Sequence, residues 1–63
     1  MCESKAVLVK SGSEEPLLDD VVLLEQTSEG IKLVNIRGEV KVLKNVRLAK
    51  IDFMKHTIYF EPC

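Results

Sequence analysis

Residue types that carry most enzyme chemistry are scarce in this chain. It contains one histidine, two cysteines and three aromatic residues, with no tryptophan. It also has no glycine-rich phosphate loop, no HExxH, no CxxC and no nucleophile elbow, the short motifs that hold reactive groups in place for catalysis. The acidic pairs Glu14-Glu15 and Asp19-Asp20 have the pattern of solvated loop charge rather than of an acid–base pair in a cleft. We therefore expect that the protein is not an enzyme.

Long apolar runs and disordered segments are also missing. No apolar run approaches the ~20 residues that a membrane-spanning helix needs. The first ten residues, MCESKAVLVK, contain charged side chains where a secretory signal peptide would be apolar. Three Gly and two Pro in 63 residues do not indicate disorder. This length suits one domain, residues 1–63. We expect a cytoplasmic protein without membrane contact, whose cysteines are thiols.

Short apolar segments separated by turn signals account for most of the chain. Residues 5–10 (KAVLVK) are followed by a Ser-Gly-Ser turn, and Arg37-Gly38 joins two segments as a hairpin. In residues 46–53 the apolar alternation changes phase, which predicts a β-bulge near Ala49-Lys50. The predicted strands cover residues 5–10, 20–26, 31–36, 39–44, 46–53 and 57–61.

One segment has two interpretations. Residues 17–26 (LLDDVVLLEQ) are long enough for a helix that would place Leu17, Val21 and Leu24 on one face. We prefer a strand, because Val21-Val22 is β-branched and the neighbouring Ser-Gly and Glu-Gly turns fit a meander. The whole pattern predicts an all-β fold, a small SH3-like barrel of about six short antiparallel strands.

The two most apolar strands predict an assembly. An antiparallel strand with one wet face alternates apolar and polar residues, but AVLV and VVLL are apolar on both faces. Val7, Val9, Val22 or Leu24 would then need a cover. A loop could supply it, but we prefer a homodimer, because a chain of ~60 residues builds only a marginal core.

Charge is unevenly divided along the chain. Residues 1–30 have two basic against seven acidic side chains, and residues 31–63 have seven basic against three acidic. This asymmetry could guide pairing with another subunit or a partner.

Cys2 is the strongest candidate for chemistry because it lies beside the amino terminus. With Met1 in place, a metal ion can bind the terminal amine, the deprotonated Cys2 amide nitrogen and the Cys2 thiolate, donors that suit square-planar nickel(II) or copper(II). If Met1 is removed, Cys2 offers its own amine and thiolate. Either set is incomplete, so the second Cys2 of a dimer is the natural source of the remaining donors. The chemistry alone leaves open a surface thiol without a role.

Three segments in this order, MCESKAVL, LLDDVVLLE and GIKLVNIRGEVKVLKNVRLAKIDFMKHTIYFE, resemble the CooT family of small nickel-binding proteins over nearly the whole chain. The resemblance implies a homodimeric SH3-like β-barrel that binds nickel (Ni2+) through Cys2. It also implies a role in nickel supply to carbon monoxide dehydrogenase, with that nickel enzyme or its maturation proteins as partners. We therefore predict a nickel chaperone or storage protein with a metal site at Cys2 and Met1.

Two other functions are open. Related sequences have also carried an RNA-binding label. However, RNA-binding domains usually have a strongly basic surface, and this chain has a net charge of −1. Any RNA surface would need a stripe of Lys41, Lys44, Arg47 and Lys50 and an exposed aromatic, which we expect to be Tyr59, with Phe53 and Phe60 buried. The other alternative is a metal-free module that holds a partner through a strand edge or an apolar face.

Two remaining residues could bind metals. His56, between Lys55 and Thr57, is expected to be a solvated turn residue, because a lone histidine carries little specificity. Cys63 could be a second soft ligand, a partner for Cys2 or an inert tail, and the last is the default.

Overall fold

The computed structural model describes residues 3–63, which form one six-stranded sheet and no helix. The strands are β1 (Ser4–Lys10), β2 (Ser13–Thr27), β3 (Gly30–Asn35), β4 (Val40–Leu43), β5 (Val46–Asp52) and β6 (Thr57–Pro62). The prediction of an all-β fold with six strands is confirmed. Among these residues, no helix is long and apolar enough to cross a membrane.

The strands are arranged in the order β4-β3-β2-β1-β6-β5. β1 is central, with β2 antiparallel on one side and β6 parallel on the other. The remaining neighbours are antiparallel. The prediction of antiparallel strands throughout is therefore wrong for β1 and β6. Residue patterns identify strands, but they carry no information on the direction of a partner about 50 residues away along the chain.

β2 is longer than predicted and irregular. It begins at Ser13 and not near Asp20, because its first half pairs with β1 while its second half pairs with β3. The register shifts on both sides of Ala6 and again between Val21 and Leu23, and Asp20 has a φ of 57°. Such bulges bend a strand and increase its twist, so β2 can turn the sheet around the core.

The bulge predicted in β5 is confirmed. The pairing of β5 with β6 shifts between Leu48 and Lys50, which leaves Ala49 as the extra residue. The shift allows Leu48 and Ile51, which have opposite phase in the sequence, to stand opposite the core residues Phe60 and Ile58.

The hydrophobic core lies on the inner face of the curled sheet. Phe60, Ala6 and Leu33 are completely shielded from solvent. The full cluster consists of Ala6, Val21, Ile31, Leu33, Leu43, Ile58 and Phe60. Five of the six strands contribute to it, so the sheet forms a half-barrel with extents of 30 × 28 × 15 Å, in agreement with the predicted small barrel.

The structure corrects the predicted exposure of several apolar side chains. Val7 is buried, Val9 and Leu24 are half-buried, and of the four candidates for a cover only Val22 is exposed. Two aromatic predictions are wrong: Phe53 is 79% exposed and Tyr59 is buried. Phe53 follows the end of β5, so the strand alternation does not extend to it. Tyr59 pairs with Val7 in the centre of the sheet, and the Lys50 side chain covers its ring.

Candidate metal centre

The predicted ligands Met1 and Cys2 lie outside the described residues. The described chain begins at Glu3, which is half-buried, and β1 starts at the next residue. The nearest described element along the chain is the beginning of β1.

Parallel pairing brings the beginnings of β1 and β6 to the same end of the sheet. Lys5 stands opposite Thr57, and the Lys5 N–H donates a 2.8 Å hydrogen bond to the carbonyl oxygen of His56. His56 is the last residue before β6 and is exposed, as expected for a turn residue. The sequence offered no signal for its position beside the start of the chain, because that position depends on the parallel pairing.

The turn that carries His56 is held by local hydrogen bonds. Asp52 Oδ1 accepts hydrogen bonds from the backbone N–H groups of Met54 and Lys55, both at 3.0 Å. The Thr57 hydroxyl donates to the Lys55 carbonyl oxygen at 2.9 Å. His56 has a φ of 50°, a left-handed conformation in which histidine is more common than most residues. The turn therefore has a defined backbone although its side chains face solvent.

Cys63 is a free, exposed thiol at the other end of the sheet. Its N–H donates to the Asn45 carbonyl oxygen at 3.0 Å, which fixes its backbone beside the loop before β5. The six residues of β6 separate it from the beginning of that strand, a distance of about 20 Å.

No ready-made metal cluster exists within residues 3–63. No group of three or more His, Cys, Asp and Glu side chains in this part of the chain is placed to hold a metal ion. One groove among the described residues has a volume of about 300 Å³ and is lined by neither cysteine nor histidine. Its lining is formed by Val9, Glu14, Ala49, Lys50, Tyr59 and Glu61.

The acidic side chains near the β3–β4 hairpin belong to a structural network. The Arg37 guanidinium donates to Asp20 Oδ2 at 3.0 Å and to Glu39 Oε1 at 3.1 Å. The Asn35 amide donates to the same Glu39 oxygen at 2.6 Å. The Asn35 bond, followed by the Arg37 bond and charge, holds the pKa of Glu39 below its usual value, and the same carboxylates raise the pKa of Arg37. These donors occupy Glu39, so it is a poor candidate for a metal ligand.

Three of the four basic residues considered for RNA binding contact other groups of the protein. The Lys41 ammonium donates to the Leu17 carbonyl oxygen at 3.1 Å, Arg47 pairs with Glu61 at 2.7 Å, and the Lys50 ammonium lies 4.8 Å from the centre of the Tyr59 ring. Stacking of bases requires exposed aromatic rings, and Phe53 supplies the only one. Within residues 3–63, therefore, these contacts and the single exposed ring do not favour a basic, aromatic RNA-binding groove.

Comparison with known proteins gives a family match and structural matches. The family model described as CO dehydrogenase accessory protein CooT matches residues 1–61. The crystal structure of a protein assigned as CooT from Carboxydothermus hydrogenoformans is similar, with 34% sequence identity, 98% of each chain covered and a TM-score of 0.92. No curated protein sequence matches the chain.

Proposed function

The chain belongs to the CooT family of CO dehydrogenase accessory proteins, and on that basis we propose that it is a cytoplasmic nickel-binding protein. Nickel is its cargo, held through Cys2 and stored for, or supplied to, CO dehydrogenase. Membership confirms the family resemblance of the sequence and the expectation that the protein is an accessory factor and not itself an enzyme. The observation that carries the proposal is the family match, which extends from residue 1 and therefore includes Met1 and Cys2.

The donors at the start of the chain suit this cargo. Thiolate, amide nitrogen and amine are strong in-plane donors, which square-planar nickel(II) accepts. The rest of the chain offers no competing cluster among residues 3–63. In addition, β1 begins at the surface beside the exposed residues Lys5 and His56, so a metal ion could reach this end of the sheet. A cargo site benefits from such access, because the ion must enter and leave.

Nickel titration of thiol variants tests the proposal. Calorimetry on the intact chain and on Cys2→Ser is expected to show nickel binding by the first and a loss of at least about tenfold in affinity for the second, because serine lacks the thiolate donor. Cys63→Ser is the matched control, since it removes the other thiol at the far end of the sheet, and it is expected to bind nickel as the intact chain does. Unchanged affinity in Cys2→Ser contradicts the proposal.

We also propose that the protein is a homodimer whose subunits meet through an outer apolar patch, defined as Leu23, Val34, Val40 and Val42. Leu23 pairs with Val34, and Val34 pairs with Val40, so the three form a row across β2, β3 and β4. Leu23, Val40 and Val42 are each between 44% and 58% exposed. A chain of this size has little core to spare for such exposure, and a self-complementary contact would cover it.

The dimer proposal predicts a specific response to charge. Val40→Lys places an ammonium at the β4 end of the row, on its most exposed side chain, and is expected to weaken self-association by at least about tenfold, because a buried unpaired charge is costly. Leu48→Lys is the matched control, since Leu48 is 44% exposed at the opposite edge of the sheet. Sedimentation equilibrium measures both. A monomeric intact chain, or dissociation by the Leu48 variant alone, overturns the proposed interface.

A further inference from the structure

β5 forms one edge of the sheet. It is the last strand in the sheet order and, within residues 3–63, it pairs only with β6. Alternate backbone N–H and C=O groups of an edge strand point away from the sheet and can pair with another chain. The seven residues of β5 span about 23 Å, enough to pair with an extended peptide of about seven to nine residues.

The core side of β5 is apolar and incompletely covered. Leu48 and Ile51 stand opposite the core residues Phe60 and Ile58. They are nevertheless 44% and 38% exposed, because the described part of the chain places no strand beyond β5. A further strand at this edge would cover both side chains with apolar side chains of its own.

The opposite face of β5 is basic. Arg47 pairs with Glu61 at 2.7 Å, and the Lys50 ammonium lies 4.8 Å from the centre of the Tyr59 ring. Basic side chains at an edge often block pairing with another strand. Here both lean back over β6, where Glu61 and Tyr59 lie, so they leave the free side of the β5 backbone open. Side chains of an added strand on this face would lie next to two cations.

The charge around this edge identifies what fits it. Residues 44–55 have four basic side chains and one acidic, whereas the rest of the chain has five basic and nine acidic. The one acidic residue, Asp52, accepts hydrogen bonds from two backbone N–H groups. An acidic segment is therefore attracted to this edge and repelled by the remaining surface. Edge-to-edge pairing of two β5 strands is disfavoured, because both copies carry the same charge.

We propose that β5 binds an extended segment of a partner protein as a seventh strand, and that this segment alternates acidic with large apolar residues. Its apolar side chains lie beside Leu48 and Ile51, and its acidic side chains face Arg47 and Lys50. Backbone hydrogen bonds along β5 supply the rest of the affinity. This docking edge uses neither the proposed nickel ligands nor the outer apolar patch, so it goes beyond the proposed function.

A synthetic peptide tests the docking edge. A capped peptide of about nine residues in which glutamate and isoleucine alternate is titrated into the intact chain labelled with ¹⁵N. The amide signals of β5 are expected to shift, and their exchange with solvent is expected to slow as the free backbone groups gain partners. The same peptide with lysine in place of glutamate is expected to bind at least about tenfold more weakly.

Two matched variants locate the contact on the protein. Leu48→Glu places a carboxylate on the apolar side of β5 and is expected to lower the affinity for the glutamate peptide by at least about tenfold. Val40→Glu is the control, because it makes the same change in net charge at a side chain 58% exposed on the opposite edge. It is expected to bind as the intact chain does. Lys50→Gln leaves the apolar side intact and is expected to weaken binding several-fold. Amide spectra verify that each variant is folded.

Each outcome decides the inference. Shifts concentrated in β5, a preference for the glutamate peptide and a loss specific to Leu48→Glu support it. Absence of shifts at about 1 mM peptide, equal binding of both peptides, or equal losses in Leu48→Glu and Val40→Glu overturn it. Tighter binding of a short oligouridine to the same edge also overturns it, because the edge would then select phosphates. Cys2→Ser is expected to bind the peptide normally, so loss of its nickel affinity and loss of peptide binding are distinguishable.

Discussion

Two turns of this protein use the same hydrogen-bonding device in different surroundings. In the β3–β4 turn, Asn35 Oδ1 accepts the backbone N–H groups of Arg37 and Glu39 at 3.1 and 2.9 Å. In the β5–β6 turn, Asp52 Oδ1 accepts two backbone N–H groups at 3.0 Å each. Each turn therefore begins with a residue whose side-chain oxygen satisfies two backbone donors.

The surroundings of the two turns differ. Asn35 is 2% exposed, and its own amide is held by Glu39 at 2.6 Å. Asp52 is half-buried, but its two hydrogen bonds are exposed to solvent. The turn after it presents Phe53 at 79% exposure, Met54 at 90% and then His56. The first turn stabilises the edge of the sheet. The second displays apolar side chains and the imidazole of His56 beside the start of β1.

Replacing the first residue of each turn tests this difference in burial. Of the predictions made for the two turns, it has the largest expected effect on the free energy of unfolding. Asn35→Ala removes an acceptor from two N–H groups in a part-buried region and should lower the free energy of unfolding by about 2–3 kcal/mol. Asp52→Ala is the matched variant. It also removes an acceptor from two backbone N–H groups, without the additional amide bond to Glu39 that Asn35 makes, and water can replace the two bonds, so about 1 kcal/mol or less is expected. Urea unfolding should show a lower midpoint with an unchanged m value. Equal costs for the two variants would mean that burial does not distinguish the turns.

Local patterns in the sequence predicted the elements well because each depends on neighbouring residues. The β3–β4 hairpin around Arg37-Gly38 and the bulge at Ala49 both follow from short-range alternation and turn chemistry, and both are present. The early start of β2 was missed, because Glu14 and Glu15 are polar and lie in a strand only through their pairing with Val9 and Leu8.

Features that depend on distant pairing could not be predicted. The parallel register of β1 and β6 buries Tyr59 against Val7 and brings His56 next to Lys5, and no pattern within a few residues encodes it. Phe53 was assigned to the core by extending the alternation of β5 past its last residue, Asp52. At the candidate site, Cys2 and Met1 were predicted as ligands from their position in the sequence and from the family resemblance. Both lie outside the described residues.

The charge network of the β3–β4 turn provides the smaller test of the comparison. The pKa of Glu39 is lowered in the folded protein, first by the Asn35 amide and then by Arg37. A carboxylate with a lowered pKa contributes stability that is fully present above its unfolded pKa and is lost as the pH falls through the folded value. The intact chain should therefore be more stable than Glu39→Gln at pH 7, and this difference should shrink as the pH is lowered to about 3. Glutamine keeps an acceptor for Asn35 and removes only the charge.

The magnitude of this effect should be small, because Glu39 is largely exposed and solvent screens its pair with Arg37. Chemical unfolding of both chains between about pH 7 and pH 3 measures the difference, and Glu29→Gln, which alters a carboxylate outside the network, is the control. Added salt should reduce the pH 7 difference if the Arg37 charge contributes to it. If the stability difference between the intact chain and Glu39→Gln stays constant across this pH range, the charge of Glu39 does not contribute to it. Glu39 would then act in the turn only as a hydrogen-bond acceptor. The β3–β4 turn would then resemble the Asp52 turn in mechanism and differ from it only in burial.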